Sequence, residues 1–473
     1  MEKEGRIMVY EVPNKYYFRI HHVRPRFKDD VESVLLYMAN KVCKIGIKPK
    51  KEFKDKLNSE IYEYPGNAKK ALKTVNNWRT EICALFGFFI DDGKNTIPGN
   101  IAKLLSQDGD IPEMFNYFLY KFQYPGAHIK SQAIQQQIEC HVKFQPAKYI
   151  LNVLTEAKDK NPDEAYISVA ECTHCIFNDL RCTRINHEDY SVTWNRIITN
   201  RRQKTIYDTQ GDVTRYAKDI LDYMSKAGLL NESNGSYYIN DLAKENIDKI
   251  RNNTQSFTLY DSMIKEGKAD IKSINQQKIK WFKYVNSINN VNLATDVFAY
   301  MHRSLDNYNK AKETMEKAIA NNLTYQNTKQ IGDQGEGLVY KYETDYVEDH
   351  DRKDLCHLIT FIPTQLAVGY DFNSIEPSTE LRRFIEVKTT ISSSPLVINS
   401  FHMTPNEVRT ARTVRQHYFI YRLKVMKNRQ PLLTIIKDPI SLVEKGEIDG
   451  DLTDMSDGLD INYNPQKFKE VSI

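Results

Sequence analysis

The 473-residue chain lacks several features whose presence would settle its class at once. No apolar run reaches membrane-spanning length, and the amino-terminal "MEKEGRIMVYEVPNKYYF" is charged from its second residue, without the apolar core of a signal peptide. A cytoplasmic location without membrane contact is therefore expected. Seven cysteines, odd in number and scattered, do not make a disulfide framework. There is no G-x-x-x-x-G-K-[ST] phosphate loop and no methyltransferase glycine-rich motif, which argues against an ATP-driven translocating enzyme or a fused modification activity. No low-complexity tract argues for disorder, and a net charge of +4 is by itself too small to imply nucleic-acid binding.

What is there reads as a soluble globular protein, 41% hydrophobic and 27% charged, of a length that needs two or three cores. One cysteine group invites a metal reading: "CTHC" at Cys172 to Cys175, with Cys182 and His187 downstream, has zinc-ligand residue types. Yet Ile167, Val169, Ala170, Cys172, Cys175 and Ile176 fall as the buried stripe of a helix would, and no glycine turn accompanies the pair. Core cysteines without zinc are expected.

Up to about Lys249 the pattern is mainly helical, with apolar residues at three- and four-residue spacing in "DDVESVLLYMANKV", "NAKKALKTVNNWRTEICALFGFF" and "FQPAKYILNVLTEA". The most informative stretch is "GDVTRYAKDILDYMSKAGLLNESNGSYYIN". Gly228 stops an amphipathic helix, and a small hairpin follows around "NESNG", the helix-plus-wing pattern of a winged helix. In such a unit the helix enters the major groove and the hairpin lies along the phosphate backbone. Upstream, Arg196, Arg201, Arg202 and Lys204 form a local basic cluster, and Arg19, Arg24 and Arg26 form another interleaved with aromatics. Both are expected to contact DNA, although a solvated charged face beside a protein-contact module would look similar.

Residues 252–328 are polar, helix-prone sequence with few turn signals and read as a helical connector. A new order of elements follows: a helix at "GEGLVYKYETDYVED", strands at "LCHLITFIP", "AVGYDFNSIE" and "RRFIEVKTT", a helix from Thr404, and strands at "HYFIYRLKV" and "LLTIIKD". "TPNE" is a helix start, with Thr404 as N-cap, Pro405 at the first position and Glu407 closing a capping box. A mixed sheet with helices on its faces is the natural packing.

Asp371 and Glu386 fall in successive strands at a spacing that suits antiparallel neighbours joined by "SIEPSTELR". Two carboxylates brought together repel unless a cation lies between them, and a small set of hard oxygen ligands suits Mg²⁺, which fills its octahedron with water and phosphate oxygens. Lys388 shares a face with Glu386 and can reach a water or a phosphate. That is equipment for metal-assisted phosphodiester hydrolysis. E-x-K by itself means little, since it recurs at Glu52, Glu156 and Glu266 in ordinary helical or loop sequence. Its strand context, the upstream "GYD" and the leading helix with Glu336 set the Glu386 copy apart.

The arrangement Asp371…Glu386-Val387-Lys388 resembles the PD-(D/E)xK nuclease superfamily, with Tyr370 where a proline often stands. More narrowly, "GDQGEGLVYKYE", "VGYDFNS", "RFIEVKTT" and "FHMTPNEVRTAR", in that order, are similar to the nuclease-like carboxy-terminal domain of NO VEIN-type proteins, related to Holliday-junction resolvases and restriction enzymes. The resemblance covers about residues 329–438. It implies that Asp371 and Glu386 bind metal, that Lys388 is catalytic, and that Glu336 belongs to the metal site or supports it. Thr389, Thr390 and Glu407 match the family in supporting roles, and Glu407 reads first as a cap. Arg409, Arg412 and Arg415 recur every third residue, and residues 381–430 carry ten lysines and arginines against two acids, a basic face fit for a duplex backbone.

The expected fold is α+β and multidomain: a helix-rich winged-helix DNA-recognition half over 1–251, the connector over 252–328, and a mixed α/β, restriction-endonuclease-like nuclease domain over 329–473. The organisation is similar to type II restriction endonucleases of the shifted-cleavage (IIS) kind. Expected are Mg²⁺ as cofactor with Mn²⁺ as a substitute, double-stranded DNA as substrate, dimerisation on DNA through the nuclease domain, and a cognate methyltransferase as a separate protein. Three other readings stay open: an endonuclease that requires methylated DNA, a structure-specific resolvase, and a DNA-binding protein with an inactive nuclease fold.

Overall fold

The computed structural model describes residues 9–21, 31–67, 70, 72–210, 212–288, 290–320, 331–362, 368–396, 399–453 and 455–473. Their chain divides into two compact units. Among the described residues the first takes 9–21, 38–103 and 112–293, and the second 31–37, 104–111 and 294–473.

The first unit is rich in helices, with two small antiparallel sheets. Helices Ser131–Glu139 and Ile271–Val285 bury Ile134, Ile138, Ile274, Trp281 and Val285 in one cluster with Phe257 and Tyr260. The expected helix and hairpin both form. Helix Arg215–Lys226 ends as Gly228 N–H bonds Ser225 O at 3.1 Å and Leu229 N–H bonds Met224 O at 3.0 Å, the paired bonds of a Schellman end. Strands Leu230–Ser233 and Ser236–Ile239 then pair through a two-residue turn. Asn234 and Gly235 both take positive φ there, +51° and +75°, the backbone that a tight right-twisted hairpin needs and that asparagine and glycine tolerate. A third strand, Tyr166–Ser168, pairs with the outer side of Ser236–Ile239.

That strand corrects part of the helical expectation for "AYISVAECTHCIFNDL". The chain runs as strand Tyr166–Ser168, short helix Val169–Cys172 and a wider turn over Thr173–Phe177. Ser168 caps the helix in a capping box with Glu171, so the strand ends where the cap begins. Cys172, Cys175 and Cys182 are all buried in the core.

The second unit is built on a six-stranded mixed sheet, in the order Glu470–Ser472, Leu432–Lys437, Tyr418–Met426, Arg382–Ser392, Phe372–Ile375 and Thr360–Phe361. Neighbours are antiparallel except Tyr418–Met426 and Arg382–Ser392, which run parallel. A parallel pair needs a crossover, and it is supplied by strand Asn399–Met403 and helix Pro405–Val414. Helix Ile331–Asp349 covers one face, packing Val339, Tyr340 and Val347 against Ile385, Ile391 and Tyr421. The other face packs Phe384, Tyr418 and Ile420 against Val408, Ala411, Ile440 and Ile461.

The connector expected over 252–328 is not a separate element. The division falls at 293/294. Helix Ile271–Val285 is part of the first unit because Trp281 and Ile274 are buried there, while helices Val297–Met301 and Leu305–Ala320 belong to the second, with Val297, Phe298 and Met315 in the sheet's core. "LCHLITFIP" is also less extended than its pattern suggests, since Lys353–Leu358 is a 3-10 helix and only Thr360–Phe361 is strand. Among the described residues no helix is long and apolar enough to cross a membrane.

Candidate active site

The strand Arg382–Ser392 carries two chemistries on its two faces. Ile385 and Val387 point into the core beneath helix Ile331–Asp349, while Phe384 joins the opposite cluster, the alternation of a pleated strand. Glu386 and Lys388 therefore share Phe384's face, towards helix Pro405–Val414. Glu386 is only 6% exposed.

Asp371 enters from just before the neighbouring strand Phe372–Ile375. The antiparallel register pairs Phe372 with Ile385, which sets Asp371 opposite Glu386. Asp371 N–H donates to Ile385 O at 2.9 Å, and Val387 N–H donates to Asp371 Oδ2 at 2.7 Å, so the carboxylate is held by the backbone of the strand that bears its partner. Gly369, two residues before, has φ +84°, and a Cβ there would stand 2.7 Å from Asn406 O, so only glycine lets the chain pass the start of helix Pro405–Val414 so closely. Thr410 Oγ1 and Tyr418 OH fix this approach by donating to Val368 O at 2.7 Å and Gly369 O at 2.8 Å.

The Lys388 ammonium lies between two carboxylates, 2.6 Å from Glu386 Oε1 and 2.8 Å from Glu407 Oε2. Thr404 and Glu407 form the capping box that their spacing announced, and the same Glu407 Oε2 accepts from Thr404 N–H at 3.2 Å. Glu407 thus closes the cap and also contacts Lys388, so the two readings its sequence position left open, cap and neighbour of the site, meet in one carboxylate. Behind Lys388, the buried Arg422 donates from Nη1 to Lys388 O at 2.7 Å and from Nη2 to Thr390 Oγ1, which fixes the backbone from the parallel strand. Glu32, on the first turn of helix Val31–Ile45, accepts from the backbone N–H groups of Ser393 and Ser394 and so anchors the chain just past the strand's end. No sequence signal pointed to Arg422 or Glu32.

The electrostatics are those of a site short of positive charge. Burial, and next the charge of Glu336, push the Asp371 carboxyl up to about 8, against the pull of the Val387 amide and Lys388. Burial likewise raises Glu386 well above the carboxylate range; Lys388 opposes this, while Asp371 and Glu407 add to it. Burial works to lower the Lys388 pKa, but Glu386 and Glu407 outweigh it and hold the ammonium above the ordinary lysine value. Glu386 and Glu407 thus bear on the Lys388 ammonium, while Glu336 and Glu407 bear on Asp371. A hard divalent cation fits two facing carboxyl groups, Asp371 and Glu386, whose ionised forms are both disfavoured as they stand. Among the described residues no three His, Cys, Asp or Glu side chains form a ready cage. Asp371 and Glu386 are the residues that would hold an ion. Glu336, half-buried in helix Ile331–Asp349, acts on Asp371 through its charge.

The basic residues divide. Arg196 pairs with Glu188 and lies 3.6 Å from Asp179, and Arg201 lies 2.6 Å from Glu171, so both guanidinium groups are spent on holding helix Tyr190–Arg202 in place. Arg202 and Lys204, from the same cluster, are exposed. On helix Pro405–Val414, Arg409 and Arg412 are exposed, while Arg415, just beyond it, pairs with Glu444 at 2.6 Å. Arg24 and Arg26 lie outside the described residues; Arg19 donates to Asp212 O and stacks on Tyr216.

Two families match the chain. The one described as "Protein NO VEIN, C-terminal" covers residues 335–436, which include Glu336, Asp371, Glu386, Lys388 and Glu407. The one described as "Restriction endonuclease BpuJI - N terminal" covers residues 10–282. Among solved structures the chain is similar to the BpuJ1 endonuclease binding domain, crystallised with pyrene- and phenanthrene-modified DNA. The TM-score is 0.52 at 21% identity, covering 59% of this chain and 100% of that one, a likeness of fold. No curated protein matches it significantly. Since residues 10–282 are more than half of its length, the chain belongs to the restriction endonuclease BpuJI N-terminal family.

Proposed function

We propose that this protein is a Mg²⁺-dependent endodeoxyribonuclease of the restriction type, in which the first unit reads duplex DNA and the second, a PD-(D/E)xK nuclease, cuts it. One observation carries this reading: Asp371, Glu386 and Lys388 converge on adjacent strands in a chain whose other part belongs to a restriction-endonuclease family. The DNA in the complex of the related binding domain supports DNA as the partner of the first unit. The helix Arg215–Lys226 with its hairpin serves as a winged helix, and the exposed Arg202 and Lys204, upstream of it in the chain, serve for phosphates.

Asp371 and Glu386 are the residues that would hold Mg²⁺. When bound, the ion lowers the pKa of a water and offsets negative charge on the phosphate. The chain's own groups do the rest. Val387 N–H fixes one oxygen of Asp371 and so aims its carboxylate. Lys388, held above the ordinary lysine pKa, stays protonated at neutral pH and acts as a cation towards the scissile phosphate rather than as a base. Arg409 and Arg412 offer charge to the flanking backbone.

One such site cuts one strand, so double-strand cleavage calls for a second copy of the nuclease unit, brought together on DNA. A separate methyltransferase would protect the host's own sites, and the working compartment is the cytoplasm.

Plasmid digestion in Mg²⁺ tests the reading. Discrete fragments from unmethylated plasmid support it, and fragments only from methylated plasmid would make the enzyme modification-dependent. No cutting of either at any protein concentration sinks both.

A further inference from the structure

Glu407 lies where two structural duties meet. Its carboxylate closes the capping box of helix Pro405–Val414, and the same Oε2 is 2.8 Å from the Lys388 ammonium. The helix beneath it is fixed by Val408 and Ala411, both buried in the core on that face of the sheet. Glu407 is therefore a rigid acceptor, presented by an element other than the strand that carries Lys388. An ammonium has three donors. Glu386 and Glu407 take two of Lys388's, which leaves one for a phosphate oxygen.

Glu386 cannot serve Lys388 and a cation equally. If its carboxylate turned to a metal ion, a lysine with no second acceptor would either compete for that carboxylate or swing away. We infer that Glu407 is the positioning residue for Lys388, keeping the ammonium in place when Glu386 is given over to a divalent cation; this rests on the nuclease reading of the same site. Its negative charge also adds to the attraction for the cation. Neither effect belongs to a cap.

A cap and a charge can be separated chemically. Glutamine closes a capping box as glutamate does but carries no charge, whereas alanine loses both. The experiment titrates Mn²⁺ by calorimetry into the full chain without DNA, for the natural protein, Glu407→Gln and Glu407→Ala, beside their metal-free melting temperatures. Expected are a melting temperature for Glu407→Gln no lower than the natural protein's, a lower one for Glu407→Ala, and Mn²⁺ binding weakened about tenfold or more in both. If Glu407→Gln binds Mn²⁺ as the natural protein does, Glu407 is only a cap and the inference is overturned; that variant decides alone should Glu407→Ala fail to fold. A natural protein that binds no Mn²⁺ would instead overturn the nuclease reading, and this inference with it.

Discussion

Val387 N–H donates to Asp371 Oδ2 at 2.7 Å, tying together the two strands that bear carboxylates at the point where Asp371 stands opposite Glu386. The bond is made by backbone, so it fixes the acid without using a side chain that the chemistry needs.

Lys388→Ala removes the cation and leaves the strand. Cleavage should fall by at least about 100-fold, while binding of specific DNA in a gel-shift assay is unchanged. Loss of both would place Lys388 in DNA binding or in folding.

Asp371→Asn should make the metal-free protein more stable. A carboxyl pushed up to about 8 by burial and by Glu336 is a charge the fold disfavours, and removing it gains about 1 kcal/mol after allowance for solvent. The sign in pH follows. The folded-state pKa lies above the unfolded value, so this group's contribution is full below about pH 4 and is lost as pH rises towards 8. Melting temperatures without metal should fall across that window in the natural protein and less in Asp371→Asn, and Mg²⁺ should raise only the former. A destabilised Asp371→Asn would show that the acid is satisfied as it stands.

On the far side of the same sheet, Glu343 and Arg383 form a buried pair at 3.0 Å, with Ser374 and Tyr421 donating to Glu343. Glu343→Gln leaves a buried guanidinium without its counter-charge and should lower stability by about 3 kcal/mol in urea unfolding. A loss below about 1 kcal/mol would mean that the pair is solvated.

The arginines of "WNRIITNRRQK" should separate by partner. Arg202→Ala with Lys204→Ala should weaken DNA binding and reduce its salt dependence by about one unit per residue, with melting unchanged. Arg196→Ala breaks the pair with Glu188 and should lower the melting temperature instead. The reverse assignment would show that the exposed pair faces away from DNA.

The site was more legible in the sequence than its surroundings. Asp371, Glu386 and Lys388 sit on neighbouring strands joined by a short loop, so period-two alternation and loop length largely determine their meeting. Glu407 was half legible: the capping box is local, but its contact with Lys388 depends on how the crossover returns to the sheet. Arg196 and Arg201 look like free charge in the sequence because Glu188, Asp179 and Glu171 reach them only through tertiary folding. The Glu343–Arg383 pair, forty residues apart, was invisible for the same reason. Residues 252–328 read as a connector because polar, helix-prone sequence hides the few residues, Trp281, Ile274 and Phe298, that are buried in two different cores.

Sequencing the ends left on plasmid by the full chain in Mg²⁺ tests the central claim most directly, because it reports reading and cutting together. The account predicts ends at a fixed distance from one recurring sequence, and none with Lys388→Ala. Ends scattered without a common sequence, or the same ends from Lys388→Ala, would contradict it.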